Sequence, residues 1–270
     1  MNGLQRLRER CGVGEARALY ELIMQERFGL SRADLLLGKD TTLSADDQAL
    51  LQEIVERVAK GEPVQYVLGY ETFCGRRFRV SPDVLIPRPE TAQLVDLVNR
   101  YAAPGSTILD IGTGSGCIAV TLALKGFDVT AFDVSPQALS VARDNAEVHG
   151  AQVNFCLEDI LQPSEREMVW DVIVSNPPYV CRSEAEAMDD NVLLHEPHLA
   201  LFVPDDDPLR FYRAIADYAD RHLSPNGMLL FEVNRTKSGD VAQLLLERGC
   251  KEVWPVHDMF DNERFVCARR

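Results

Sequence analysis

Ile108-Leu109-Asp110-Ile111-Gly112-Thr113-Gly114-Ser115-Gly116 is an apolar strand that runs into a glycine-rich turn and from there into a helix. Glycine tolerates positive φ and lets a ligand lie against bare backbone, while the unpaired N–H groups at a helix start are donors. A nucleotide-like ligand is implied. The spacing is Gly-x-Gly-x-Gly rather than the Gly-x-Gly-x-x-Gly of dinucleotide sites, which favours a ligand without a pyrophosphate over NAD or FAD. Alone, such a stretch is also how a tight turn looks, so its surroundings decide.

Outward from this turn, strand and helix patterns alternate. Helices are expected over residues 90–101, 115–125, 136–149, 208–223 and 236–248. Strands are expected over 107–111, 128–133, 152–157, 169–175 and 227–233, with two more near 250–257 and 263–268. This order predicts an α/β fold, a mostly parallel sheet with helices on both faces, which binds ligands at the carboxyl ends of its strands.

Before residue 70 the hydrophobic period is helical. One helix is expected over 15–28. Another opens at Ser44, where Ser44-x-x-Asp47 resembles a capping box; it places Leu50, Leu51, Ile54, Val55, Val58 and Ala59 on one face and stops at Gly61. Residues 72–88 alternate around Ser81-Pro82-Asp83, as two short strands joined by a turn would. The expected domains are a helical one over 1–71, a β-hairpin linker over 72–88 and the α/β domain over 89–270. The linker carries Arg76, Arg77, Arg79 and Arg88, either a charged edge strand or a contact surface.

Composition narrows the function. The chain has 270 residues, 46% hydrophobic and 26% charged, which suits a folded globular protein. Its 28 Lys and Arg against 42 Asp and Glu give a net charge of −14, so a phosphate backbone is a poor default partner. The opening MNGLQRLRER lacks the apolar core of a signal peptide and no long apolar run occurs, so a cytoplasmic protein without membrane contact is expected. The 7 cysteines are scattered with no Cys-x-x-Cys pair, as reduced thiols would be. His195-x-x-His198 lacks helical spacing and contains Pro197, so no metal site is expected. Cys117 has no base beside it in sequence and reads as a small packing residue.

Three further elements carry chemistry. Asp133 ends the strand after the glycine turn, where a carboxylate can accept hydrogen bonds from two ribose hydroxyls; Ser135-Pro136 then starts a helix. In Leu157-Glu158-Asp159-Ile160 a carboxylate can take the exocyclic amine of adenine while Ile160 covers the ring. Asp171-Val172-Ile173-Val174-Ser175 is a buried strand ending in Asn176-Pro177-Pro178-Tyr179. With two prolines fixing the backbone, the side-chain oxygen of Asn176 and the carbonyl of Pro177 form a pair of acceptors for one planar NH₂ group, and Tyr179 stacks on it. Holding both hydrogens of a conjugated amine aims its lone pair at an electrophile and stabilises the charge that grows on nitrogen.

Together these motifs resemble a class I S-adenosylmethionine-dependent methyltransferase acting on a planar amino group. More closely, LIPRPET (85–91), DIGTGSG (110–116), VSNPPYV (174–180), EPHLALF (196–202) and GEPVQYVLG (61–69) resemble the HemK/PrmC family, the release-factor glutamine methyltransferases. The resemblance implies a Rossmann-like, mostly parallel seven-stranded sheet behind a small amino-terminal helical domain. It implies S-adenosylmethionine as cofactor, lined by Gly112, Thr113, Gly114, Ser115, Gly116, Asp133, Asp159, Ile160 and Asn176. Catalysis falls to Asn176 and Pro177, and Asn176, Pro177, Pro178 and Tyr179 hold the substrate. That substrate is the glutamine amide of the Gly-Gly-Gln motif of class I peptide-chain release factors. The chain departs from the family at Val203-Pro204-Asp205-Asp206-Asp207-Pro208, where a Gly-Gly pair is usual, at Glu232-Val233-Asn234, where Glu-Ile-Gly is usual, and at Ala92, where Glu is common.

An adenine N6-type nucleic-acid methyltransferase uses the same Asn-Pro-Pro-Tyr geometry and stands as the alternative. Acidic residues outnumber basic ones both before and after residue 75, which disfavours DNA as partner. A docking module without catalysis would have no need of an intact tetrad. A monomer is the expected state.

Overall fold

The computed structural model describes residues 3–165 and 167–270. The chain forms two compact units, one comprising residues up to 70 with Asp189–His195, the other comprising Glu71–Met188 and Glu196–Arg270.

The first unit is helical: α1 (Gly3–Arg8), α2 (Val13–Phe28), α3 (Arg32–Leu36), α4 (Ala45–Ala59) and α5 (Val64–Leu68). The side chain of Ser44 accepts from the backbone N–H of Asp47 at 3.1 Å, which starts α4 where the sequence pattern places it. Leu7, Tyr20, Ile23 and Met24 pack with Ile54, Val55, Val58 and Val64 to form a core.

A hairpin follows, β1 (Tyr70–Phe73) and β2 (Arg76–Arg79), which belongs to the second unit from Glu71 onward. Its turn is Cys74-Gly75, not the expected Ser81-Pro82-Asp83. Both turn residues have positive φ, 48° and 75°, as tight hairpins with twisted strands require. Ser81 instead forms a local turn, its carbonyl accepting from Val84 N at 3.0 Å. No strand follows, since Pro87 and Pro89 lack the donors that a ladder needs.

Then come α6 (Thr91–Tyr101), β3 (Thr107–Ile111), α7 (Cys117–Leu124), β4 (Asp128–Asp133), α8 (Pro136–His149), β5 (Val153–Leu157) and β6 (Trp170–Ser175). The stretch after β6 holds β7 (Val180–Cys181), α9 (Asp190–His195, in the first unit), α10 (His198–Leu201) and β8 (Phe202–Val203). The chain closes with α11 (Arg210–His222), β9 (Leu223–Glu232), α12 (Ser238–Glu247), β10 (Glu252–His257) and β11 (Glu263–Arg269). The seven-stranded sheet has the order β10-β11-β9-β6-β3-β4-β5. Pairs β3·β4, β3·β6, β4·β5 and β6·β9 are parallel, while β11 is antiparallel to both neighbours.

The strands' period of two builds two cores. Ile108, Val172 and Leu230 face Leu94, Ile118 and Val120 of α6 and α7; Leu109, Ile173 and Leu229 face Ile215 of α11 and Leu245 of α12. Because β4 lies on one side of β3 and β6 on the other, strand order reverses there and a crevice opens at the carboxyl ends.

Asn145 of α8, 2% exposed, holds the hairpin and the glycine turn together. Its side chain donates to the carbonyls of Arg79 (3.0 Å) and Ser115 (2.8 Å) and accepts from Arg79 N at 2.7 Å. Asn145→Ala strands three backbone groups, so we expect a loss of about 2–4 kcal/mol. Urea unfolding with an unchanged slope and a lower midpoint would show it; an unchanged midpoint would contradict it.

Candidate active site

The glycine turn gives each of its three glycines a task. Gly112, Gly114 and Gly116 have φ of 76°, 54° and 78°. A Cβ on Gly116 would sit 3.0 Å from the Cβ of Ala142, so this glycine lets α8 approach; a Cβ on Gly112 or Gly114 would meet nothing within 4 Å. Open space over bare backbone is thus present at the first two. Ser115 and Gly116 belong to the turn, and α7 starts at Cys117 rather than at the expected 115. The N–H groups of Gly112 and Thr113 donate to the Phe132 carbonyl at 2.9 and 3.0 Å, locking the turn to β4.

Asp133, at the end of β4, accepts from Gly114 N on Oδ2 (2.8 Å) and from Ser135 N on Oδ1 (2.9 Å). A carboxylate offers about four acceptor sites, so capacity for two hydroxyls remains. Burial pushes its carboxyl above the usual range, against the pull of the Ser135 and Gly114 N–H groups. The fully buried Asp110, unassigned in the sequence reading, lies close by. Burial pushes it up to about 7, the Thr113 hydroxyl opposes, and the charge of Asp133 adds to the rise. Thr113 donates to its Oδ2 at 2.7 Å, while Oδ1 has no protein partner. The turn therefore carries a second acid whose ionisation falls near neutrality.

At the end of β5 the structure separates the two acids that the sequence left together. Glu158 is buried and accepts from both the N–H (2.5 Å) and the hydroxyl (2.7 Å) of Ser164. Asp159 accepts from Leu161 N on Oδ1 at 2.9 Å, and the bonds described for it leave Oδ2 available. Ile160 is 8% exposed, whereas Val134, directly after Asp133, is 45% exposed. An exposed apolar side chain at a strand's carboxyl end suits a planar ring, and only burial distinguishes it in sequence from a core valine.

Ser175 ends β6 with its hydroxyl donating to the Ile111 carbonyl at 2.6 Å, which puts Asn176 beside the start of the glycine turn. The Asn176 side-chain nitrogen donates to Thr91 Oγ1 at 3.3 Å, so its oxygen is the end left to accept. Thr91 donates to Glu232 Oε2 at 2.7 Å, and the Tyr179 hydroxyl donates to Glu232 Oε1 at 3.3 Å. Pro177 is buried, and Pro178 and Tyr179 are half-buried. Thr91 and Glu232 were visible in the sequence only as parts of family-like segments, with no role attached.

The segments LIPRPET and EPHLALF meet through Glu196. Its side chain, 1% exposed, accepts from Arg88 at 2.6 Å and from Ile86 N at 3.1 Å. Arg79 pairs with Asp144, so Arg79, like Arg88, is matched by an acid. Cys117 is buried and its thiol is pushed up to about 12, which keeps it protonated and inert at neutral pH. Among the described residues no group of three or more His, Cys, Asp or Glu is placed to hold a metal.

This sheet, with the glycine turn and Asn176 at its switch point, is the architecture of class I methyltransferases. A solved methyltransferase from Pyrococcus furiosus shares the fold, with 18% identity, a TM-score of 0.54, and coverage of 84% of this chain and 98% of its own. The family profile described as PrmC N-terminal domain matches residues 2–69, and the profile described as methyltransferase small domain matches residues 91–199. A release factor glutamine methyltransferase of Bacteroides thetaiotaomicron is 46% identical over 259 residues, 95% of this chain and 93% of its own. One from Flavobacterium psychrophilum is 40% identical over 93% of this chain and 91% of its own. The chain belongs to the release factor glutamine methyltransferase family.

Arg88→Met would leave Glu196 buried without its cation. Because the arginine is one-third exposed, we expect about 2–3 kcal/mol of destabilisation, below the 3–5 kcal/mol of a fully buried pair. Denaturant titration at neutral pH checks this, and wild-type stability would contradict it.

Proposed function

We propose that this chain transfers the methyl group of S-adenosylmethionine to the side-chain amide nitrogen of the glutamine in the Gly-Gly-Gln motif of class I peptide-chain release factors. The single observation that carries the reading is the 46% identity to a release factor glutamine methyltransferase along 95% of the chain, joined to an Asn-Pro-Pro-Tyr strand end at the switch point.

The residues present fit the cofactor. Gly112 and Gly114 leave open space over their backbone. Asp133 keeps acceptor capacity for ribose hydroxyls, Asp159 keeps an oxygen for an exocyclic amine, and Ile160 and Val134 supply apolar cover. Thr113, Ser115, Gly116 and Asn176 complete the proposed lining. When bound, S-adenosylmethionine supplies an electrophilic methyl group on a sulfonium sulfur.

The chain's own part is to orient the amine. A glutamine amide nitrogen is a weak nucleophile because its lone pair is shared with the carbonyl. In our reading Asn176 Oδ1 and the Pro177 carbonyl accept its two hydrogens, and Tyr179 and Pro178 flank the amide plane. That grip turns the lone pair toward the methyl and stabilises positive charge as it develops. Residues 1–71 are assigned to recognition of the protein substrate, because the chemistry needs nothing outside the α/β domain.

The net charge of −14 counts against adenine in a duplex, which demands cations along the phosphates and a base pulled from its stack. No helix among the described residues is long and apolar enough to cross a membrane.

A transfer assay with labelled cofactor, offering release factor and duplex DNA side by side, tests the reading: label enters the protein, and label in DNA alone would overturn it. Two variants separate binding from chemistry. Asp133→Asn is expected to weaken cofactor affinity by about 1.5–3 kcal/mol in calorimetry at neutral pH, a deficit that narrows as pH falls, because the raised wild-type carboxyl protonates while the amide does not titrate. Asn176→Ala is expected to lower kcat on the order of 10²-fold or more with a smaller change in affinity. A kcat within about threefold of wild type would contradict the oriented-amine mechanism.

A further inference from the structure

Glu232, at the end of β9, is 2% exposed, and the reaction as described gives it no task. A buried carboxylate is costly unless its lone pairs are filled. One hydroxyl engages each oxygen: Thr91 Oγ1 donates to Oε2 at 2.7 Å and Tyr179 to Oε1 at 3.3 Å. Tyr212 donates to the backbone carbonyl of Glu232 at 3.0 Å, not to its carboxylate. Arg264 of β11 contributes positive charge and Glu90, just before α6, negative charge. Thr91, itself 3% exposed, is also the group that receives the Asn176 side-chain nitrogen at 3.3 Å. Four elements thus converge on one hydrogen-bonded chain, Asn176 to Thr91 to Glu232, with Tyr179 closing it.

The chain has a direction. A threonine hydroxyl carries one hydrogen, and an ionised carboxylate only accepts. Thr91 therefore donates to Glu232 and must receive from Asn176, which commits the NH₂ end of that amide inward and leaves its oxygen outward. We propose that Thr91 and Glu232 are positioning residues for methyl transfer: they fix the amide of Asn176 with its oxygen toward the methyl-accepting amine, and the charge on Glu232 holds that orientation. This deepens the function proposed above and rests on its assignment of Asn176 Oδ1 as an acceptor.

Reversal follows from the same count of hydrogens. Once Glu232 is protonated it donates to Thr91, Thr91 turns its hydrogen toward Asn176, and the amide flips to receive it. The NH₂ of Asn176 then faces the NH₂ of the substrate, and two donors repel. Burial pushes Glu232 above the usual carboxylate range, Thr91, Arg264 and Tyr179 oppose the shift, and Glu90 adds to it. Turnover is therefore present above this raised value and is lost as pH falls through it.

The experiment uses the full-length protein, purified release factor and saturating S-adenosylmethionine, and compares Thr91→Ser, Thr91→Val and Glu232→Gln with wild type. Thr91→Val is expected to lower kcat roughly 10- to 100-fold, as the loss of an orienting partner does elsewhere, with cofactor affinity by calorimetry unchanged. Thr91→Ser, which keeps the hydroxyl, should stay within about threefold of wild type. Glu232→Gln has no proton to gain, so it should lower kcat at neutral pH and lose the part of the wild-type acid limb that Glu232 sets, leaving only what Asp110 and Asp133 contribute. The inference is overturned if Thr91→Val turns over like wild type, if Thr91→Ser is as damaged as Thr91→Val, or if Glu232→Gln keeps the wild-type acid limb. Should wild type methylate a different amine, the substrate assignment fails instead, and the Ser-against-Val contrast is read on that amine.

Discussion

Parallel pairing of β3 with β6, in the register that sets Ile111 opposite Ser175, is the constraint on which the rest of the α/β unit depends. Both strands are apolar on two faces, so a slip of one residue would exchange the two cores and is heavily disfavoured. The Ser175 hydroxyl bonded to the Ile111 carbonyl pins the same register at its carboxyl end. Because the register is fixed, the first residue of the glycine turn and Asn176 emerge side by side. The glycine turn and the Asn-Pro-Pro-Tyr strand end are brought together by backbone pairing rather than by loop conformation.

Around that pairing the site is built from groups whose hydrogen bonds are committed in one direction. Asp133 is filled on two sides by backbone N–H groups and keeps room for two more donors. Glu158 is consumed by Ser164, which leaves Asp159 as the acid able to act. Asn176 has its nitrogen end engaged and its oxygen end available. Burial raises Asp110, Asp133 and Glu232 above the usual carboxylate range, so acid protonates these three earlier than exposed carboxylates. Arg79 and Arg88, two of the arginines that made the linker look like a basic surface, are matched by Asp144 and Glu196.

Much of this was legible in the sequence because it rests on local rules. The strand pattern of 107–111, the glycine turn, the position of Asp133 and the proline-fixed strand end are each set by residues within one element and its neighbours. The hairpin was misplaced for a local reason too: cysteine at φ 48° before Gly75 is an uncommon way to make the turn, whereas Ser-Pro-Asp advertises one. The tertiary contributions were hidden. Thr91 and Glu232 are 141 residues apart, Arg88 and Glu196 are 108 apart, and nothing in either neighbourhood announces the other. Asn145 looks like any polar residue on an amphipathic helix until its three backbone partners are known. Burial likewise separated Val134 from core valines and Asp159 from Glu158.

The central claim is that the site grips a glutamine amide displayed by a protein. Mass spectrometry of release factor incubated with this enzyme and S-adenosylmethionine tests it most directly. The account predicts a mass increment of one methylene unit on the glutamine of the Gly-Gly-Gln motif, and no increment when that residue is replaced by glutamate, which has no N–H to offer. An unmodified glutamine, or an increment that persists in the glutamate variant, would contradict it.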